Sequence, residues 1–158
     1  ATSTLVMLAL MYSTVYSLDH IWWSQTKAWM ALYMGAAMAV VMLAFMLGMY
    51  TSTKLNLAIF AGSILVFAGT LWLVRSQETV DDVSFMKAMI PHHSIAIMTS
   101  RRAHIQDPRV RELADQIIEA QVREIGEMER LIADLERNPA PDSAPDLPPR
   151  SAAPSSVR

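Results

Sequence analysis

The stretch Phe85-Met86-Lys87-Ala88-Met89-Ile90-Pro91-His92-His93 holds the side chains best suited to chemistry. On an α-helix Met86, Met89 and His93 stand at i, i+3 and i+7, which is one face. His92 lies about 100° round from His93 and reaches the flank of that face. Thioether and imidazole together form a soft-to-borderline ligand set. That set fits copper, with Met favouring Cu(I) and His accepting either oxidation state. The same residues also read as a core His pair salt-bridged to an acidic neighbour, with Met filling gaps. Imidazole ligates only when neutral, so copper binding through these rings would weaken in acid. No enzyme signature competes. The chain has no Cys, hence no thiol catalysis and no thiolate zinc site. It has no Gly-x-Ser-x-Gly elbow, no phosphate-cradling glycine loop, and no Glu-x-x-His pair of the di-iron kind. A formal net charge of −2 gives nucleic-acid binding no electrostatic support.

Two helices must carry these groups. Acidic residues at Glu78, Asp81 and Asp82 suit a helix start, and a helix is predicted over about 80–105 despite Pro91. Gln106-Asp107-Pro108 reads as a turn with Asp107 as N-cap and Pro108 at the first helical position. A second helix then runs to about 137, where Asn138-Pro139 stops it. Joined by so tight a turn, the two form an antiparallel hairpin. The second helix has an apolar stripe at Leu113, Ile117, Met128, Leu131 and Leu135, yet Gln121 and Glu124 occupy its middle rungs. Rotation toward Ile118, Val122 and Ile125 relieves this only in part. A carboxylate in a seam is costly without a partner. Folding about 106–107 sets His93 near Gln121, Met89 near Glu124 and Met86 near Met128. His104 falls close to the turn, well away from His93, and reads as solvated.

The rest of the chain lives in a different solvent. Hydrophobic residues make up 53% of the 158, and mean hydropathy is +0.26. Residues 1–75 carry four charges, Asp19, Lys27, Lys54 and Arg75, out of 28 in the whole chain. A single soluble globule is therefore excluded. A span needs about 20 apolar residues, and residues 28–50 and 55–74 supply them. A third span is predicted over 4–23, with Asp19 and His20 near water. Trp22, Trp23, Trp29 and Tyr50 sit at span ends, where amphipathic rings favour the headgroup zone. Three crossings would put the C-terminal half on the side opposite the N-terminus. Met30, Met34, Met38, Met42, Met46 and Met49 form a drifting stripe on the second span. It reads as gap-filling Met, or as a soft-metal path. His20 reads as a hydrogen-bonded interface residue. The fold class is all-α, with a membrane domain over 1–75, the hairpin over 76–137 and a tail over 138–158. Six Pro, four Ala and four Ser in that tail argue against a core.

The run from Met86 through Ile90-Pro91-His92-His93 to Met98, followed by Gln121-x-x-Glu124-Ile-Gly-Glu-Met128, resembles a ferritin-like bacterial family, domain-of-unknown-function family 305. Its members carry a Met-Ile-Pro-His-His motif and include periplasmic copper-binding proteins. The resemblance covers about 80–137, and the three-span half is similar to that of membrane-anchored members. It implies copper binding for storage, tolerance or delivery, through Met86, Met89, His92, His93, Met98 and Met128. It also implies a bacterial inner (cytoplasmic) membrane location, with the soluble part periplasmic or outward-facing. Ferritin-like domains are four-helix bundles, and this chain offers two long soluble helices. The other two are expected from a second chain in a homodimer, or from another subunit. The alternative function is a non-catalytic accessory subunit of a larger membrane complex, with hairpin and tail as contact surfaces.

Overall fold

A computed structural model describes residues 2–141 and 144–148, and these residues are all helix or irregular chain, with no strand. The helices are α1 (Thr2–Leu10), α2 (Gln25–Met46), α3 (Thr53–Ser76), α4 (Asp82–Arg102) and α5 (Pro108–Leu135), with a short 3-10 turn at Leu18–His20. Local chemistry sets their ends. The Ser24 hydroxyl caps α2 at the Lys27 amide, and the Ser52 hydroxyl caps α3 at the Leu55 amide. At the end of α3, Gln77 turns left-handed (φ 55°), and its N–H is bonded to the Leu73 carbonyl. Asp107 caps α5 at the Arg109 amide with Pro108 in the first turn, as the sequence predicts.

Asp81 caps α4, its carboxylate accepting the Ser84 amide at 2.6 Å. That bond holds the Asp81 carboxyl below the ordinary carboxylate range. A carboxyl depressed in the folded state adds stability that is present above its unfolded value. The stability is lost as pH falls through the folded value. Asp81→Asn keeps the acceptor and is expected to remove this acid dependence with little change at neutral pH. Asp81→Ala should cost about 1 kcal/mol at neutral pH. Amide exchange at Ser84 measures both effects.

Two helices are long and apolar enough to cross a membrane, Gln25–Met46 and Thr53–Ser76. They pack side by side, with Tyr33 edge-on to Phe67 at 5.9 Å, while most of their apolar side chains face outward. They stand where the second and third spans were expected. The first span, expected over 4–23, does not form, because the helix there stops at Leu10. The reason lies in the polar groups that follow. The Ser13 hydroxyl takes the Leu10 carbonyl at 2.7 Å, competing with the helix ladder. The Ser24 amide donates to the Tyr12 hydroxyl, and Lys27 Nζ donates to the Met11 carbonyl. The Tyr16 amide donates to the Ser94 hydroxyl on α4 at 2.7 Å. Residues 11–24 thus combine local turns with bonds from Tyr16 and His20 to Ser94 on α4, and a continuous helix would forfeit the latter. Residues 11–24 precede α2, α4 follows α3, and the two touch, so they share one side of any bilayer that α2 and α3 cross.

Gly35 lets α1 approach α2. A Cβ there would collide with Thr4 Oγ1 and stand 3.2 Å from Thr4 Cγ2. Gly35→Ala is expected to loosen α1 from α2, seen as faster amide exchange over Thr2–Leu10. Thr4→Ala in the same chain should restore protection, and failure of that rescue would count against the contact.

α4 and α5 pack on each other, with Met86, Ile90, Ile97, Ile125 and Ile132 buried between them. Their polar contacts run in opposite order along the two rods: Arg111 to the Ser100 carbonyl, His93 to Glu124, and Lys87 to Glu136. α4 runs uninterrupted through Pro91. The buried seam of α5 is Ala114, Ile125 and Ile132, with Ile118 packed against it. This differs from the expected stripe. Leu113, Ile117 and Leu131 are exposed, so α5 is rotated toward Ile118 and Ile125, and Val122 stays outside. Of the tail, residues 139–141 and 144–148 have no regular structure. Residues 142–143 and 149–158 lie outside the described residues.

Candidate metal-binding groove

Between α4 and α5 lies an open groove of about 450 Å³, lined by Met86, Met89, His93, Glu124 and Met128, and also by Asp82, Phe85, Glu127, Leu131 and Leu135. α4 supplies the first three from one face, at the spacing of one and two turns. α5 supplies Glu124 and Met128, also one turn apart. Met86 is buried, while Met89 and Met128 are half-buried, so sulfur forms part of the floor and part of the wall.

The His93 ring is held at both nitrogens. Nδ1 lies 2.9 Å from the Met89 carbonyl, and Nε2 lies 2.9 Å from Glu124 Oε2. A carbonyl only accepts, so Nδ1 carries a proton and donates. With Glu124 ionised, Nε2 then has two satisfactory states. It carries a second proton and the pair is an ion pair, or its lone pair faces a cation. The second state is the usual arrangement of a ligating histidine, in which the distal nitrogen binds and the other is tied to a backbone carbonyl. The His93 side chain is 17% exposed and Glu124 43% exposed, so the groove admits an ion and still shields the ring. Gln121 Nε2 reaches Glu124 Oε2 at 3.5 Å, behind the carboxylate.

The side-chain register differs from the expected one. Pairing about the turn set His93 opposite Gln121 and Met89 opposite Glu124, whereas the contact is His93 with Glu124. In both helices the Cα–Cβ bonds lean toward the N-terminus. The two rods run oppositely, so these leans point toward each other and join residues about a turn out of level. The remaining candidates are placed elsewhere. His92 is exposed, its ring centroid 6.1 Å from that of His93, and it is not part of the groove wall. Met98 lies five residues beyond His93, about 140° round α4. His104 is exposed at the turn.

The donor set constrains the ion. Among the described residues no three His, Asp or Glu side chains gather as a metal site. Beside His93 Nε2 the groove offers the thioether sulfurs of Met86, Met89 and Met128 together with the carboxylates of Asp82, Glu124 and Glu127. Thioether binds hard cations poorly and Cu(I) well, so the three sulfurs are the donors here that would favour monovalent copper.

Ser94 was not anticipated. It is fully buried; its hydroxyl accepts the Tyr16 amide and lies 2.8 Å from His20 Nδ1. His20 is therefore a hydrogen-bonded interface residue, as its isolation in the apolar half suggested. The available signal was a polar residue at i+4 from Ile90 and i−3 from Ile97, inside the apolar stripe, where burial demands a partner. The Ser94 hydroxyl, with Tyr16 and His20, joins the segment before α2 to α4.

Residues 82–155 match the family model described as Domain of unknown function (DUF305). This agrees with the family resemblance of the His-Met stretch. The chain is 38% identical over 84 residues to an uncharacterized protein of Acanthamoeba polyphaga mimivirus, and the match covers 52% of each chain. The chain thus spans about half the length of that relative. No solved structure matches.

Proposed function

We propose that this chain is a membrane-anchored copper-binding protein that holds Cu(I) in the α4–α5 groove, for storage, tolerance or delivery. In this reading α2 and α3 cross the bilayer, and the α4–α5 hairpin stands outside it as half of a ferritin-like four-helix bundle. His93 Nε2 and the sulfurs of Met86, Met89 and Met128 are the ligands. Glu124, steadied by Gln121, receives the Nε2 proton or balances the ion's charge. The observation that carries the reading is the His93 ring, whose Nδ1 is committed to a backbone carbonyl while Nε2 faces a Met-lined groove. An outward-facing, periplasmic hairpin on a bacterial inner membrane would meet copper before it reaches the cytoplasm. The His93–Glu124 ion pair also satisfies these groups without metal. The decisive experiment is Cu(I) titration of the full chain in detergent against a competing chelator. Retention of copper at the stoichiometry of the chain is expected, and no retained copper would end the reading.

A second reading rests on the apolar flank of α5. Leu113 and Ile117 are exposed one turn apart, with Leu131 exposed further along the same flank, which suits an accessory subunit whose hairpin docks on another protein of a membrane complex. Native mass measurement of the complex extracted from its membrane separates the two, since a lone homo-oligomer argues against a foreign subunit.

A further inference from the structure

We propose that the half of the α2–α3 groove that α1 leaves uncovered holds one anionic phospholipid, with an acyl chain in the groove and the phosphate at Lys54. The inference rests on the reading that α2 and α3 cross a bilayer, and it is independent of copper. It starts from how far α1 reaches. Lys27 Nζ donates to the Met11 carbonyl, and Thr4 lies against Gly35, so α1 runs back along the first half of α2. Gly35 stands ten residues beyond Gln25, where α2 begins, which is about 15 Å of helix. The hydrocarbon core is about 30 Å thick. α1 therefore covers the groove through one leaflet and stops near the bilayer centre. Beyond Thr4 the groove continues as two cavities of about 360 and 310 Å³ that share Ile59. Two of its glycines mark the change. A Cβ on Gly35 would collide with Thr4, whereas one on Gly62 meets nothing within 4 Å.

The uncovered half has the order of parts that a phospholipid has. From Gly35 to Met46, the end of α2, is eleven residues, about 16 Å, the depth of the other leaflet. Its walls are apolar side chains such as Leu32, Leu43, Met46, Ile59 and Val66. An acyl chain lying there gives those walls the dispersion contacts that they otherwise lack. Asn56 stands at the far end, lining the second cavity though only 8% exposed. One of its amide N–H groups donates to the Tyr50 carbonyl at 3.1 Å. The other is at the depth of a glycerol ester, whose carbonyl only accepts. Two residues nearer the water, in the first turn of α3, the exposed Lys54 is the one charge between Ala28 and Val74. The N-terminal end of the helix dipole adds to its positive potential, so the rim suits a phosphate in a headgroup of net negative charge. Lys54, Asn56 and Ile59 thus meet phosphate, ester and chain in that order. An apolar helix seated in the same place would bring no anion to Lys54.

Resistance of the chain to alkaline extraction from its membrane tests the crossing of α2 and α3 by itself, so failure of that reading is told apart from failure of this one. The lipid test uses the full chain, with a chelator present, in detergent micelles doped with phosphatidylglycerol or phosphatidylcholine, read by native mass spectrometry. One phosphatidylglycerol should stay bound per chain. Gly62→Leu puts a side chain into the open cavity and should weaken retention by about tenfold or more. Gly69→Leu should leave it unchanged, because Gly69 is equally open but lines neither cavity. Lys54→Gln should remove the preference for phosphatidylglycerol over phosphatidylcholine. No retained phospholipid, equal retention in Gly62→Leu, equal retention of the two lipids by the parent chain, or a polypeptide held in the groove in place of lipid would each overturn the proposal.

Discussion

Replacing His93 by Ala is expected to weaken Cu(I) binding by at least about a hundredfold, while His92→Ala changes it by less than about threefold. Outer-shell partners of metal ligands alone are worth 10- to 100-fold, so loss of the sole imidazole in the groove should exceed that. The two adjacent histidines are chemically equal and differ only in placement. His93 is tied through Nδ1 and turned into the groove, whereas His92 stands in solvent. A competition titration with a Cu(I) chelator reads both constants on the same protein. The ion-pair alternative makes the opposite forecast. If His93 serves only Glu124, His93→Ala lowers the stability of the α4–α5 pair and leaves copper binding as it was. Equal copper affinity in His93→Ala and the parent chain would refute the groove as the copper site.

Ile90→Ala should cost about 2–5 kcal/mol in the stability of the α4–α5 unit, as deletion of a buried aliphatic side chain generally does. Ile90 is 0% exposed, at the centre of the cluster with Met86, Ile97, Ile125 and Ile132. Trp22, Val83, Ile118, Met128 and Leu135 pack against the same cluster. Domains of this size have about 5–15 kcal/mol to lose in all, which makes this one substitution severe. Amide exchange would show the loss over Asp82–Arg102 and Pro108–Leu135, with Thr53–Ser76 unchanged. Ile90→Val removes one methylene and should cost about 0.5–1.5 kcal/mol. Unchanged exchange in α4 and α5 for Ile90→Ala would mean that this seam does not hold the pair together.

Some features were legible in the chain because they depend on near neighbours. The two long apolar helices are declared by runs that only lipid or a core can accept. The start of α5 is declared by Asp107-Pro108, a cap and a preset backbone angle in adjacent positions. The grouping of Met86, Met89 and His93 is helix periodicity alone. Other features depend on contacts between distant residues, and the chain order conceals them. The stretch 4–23 has the hydropathy of a span, yet Tyr16 and His20 find partners at Ser94, more than seventy residues away. The rotation of α5 was ambiguous because its apolar arc is wider than one neighbour can cover. Packing on α4 selected Ala114, Ile125 and Ile132, and left Leu113, Ile117 and Leu131 exposed. The His93–Glu124 contact, too, was decided in three dimensions, since the opposed leans of side chains on oppositely running rods displace contacts from the level that counting along the backbone assigns. Periodicity thus determined which residues share a face, and only the packing of one helix on another determined what that face meets.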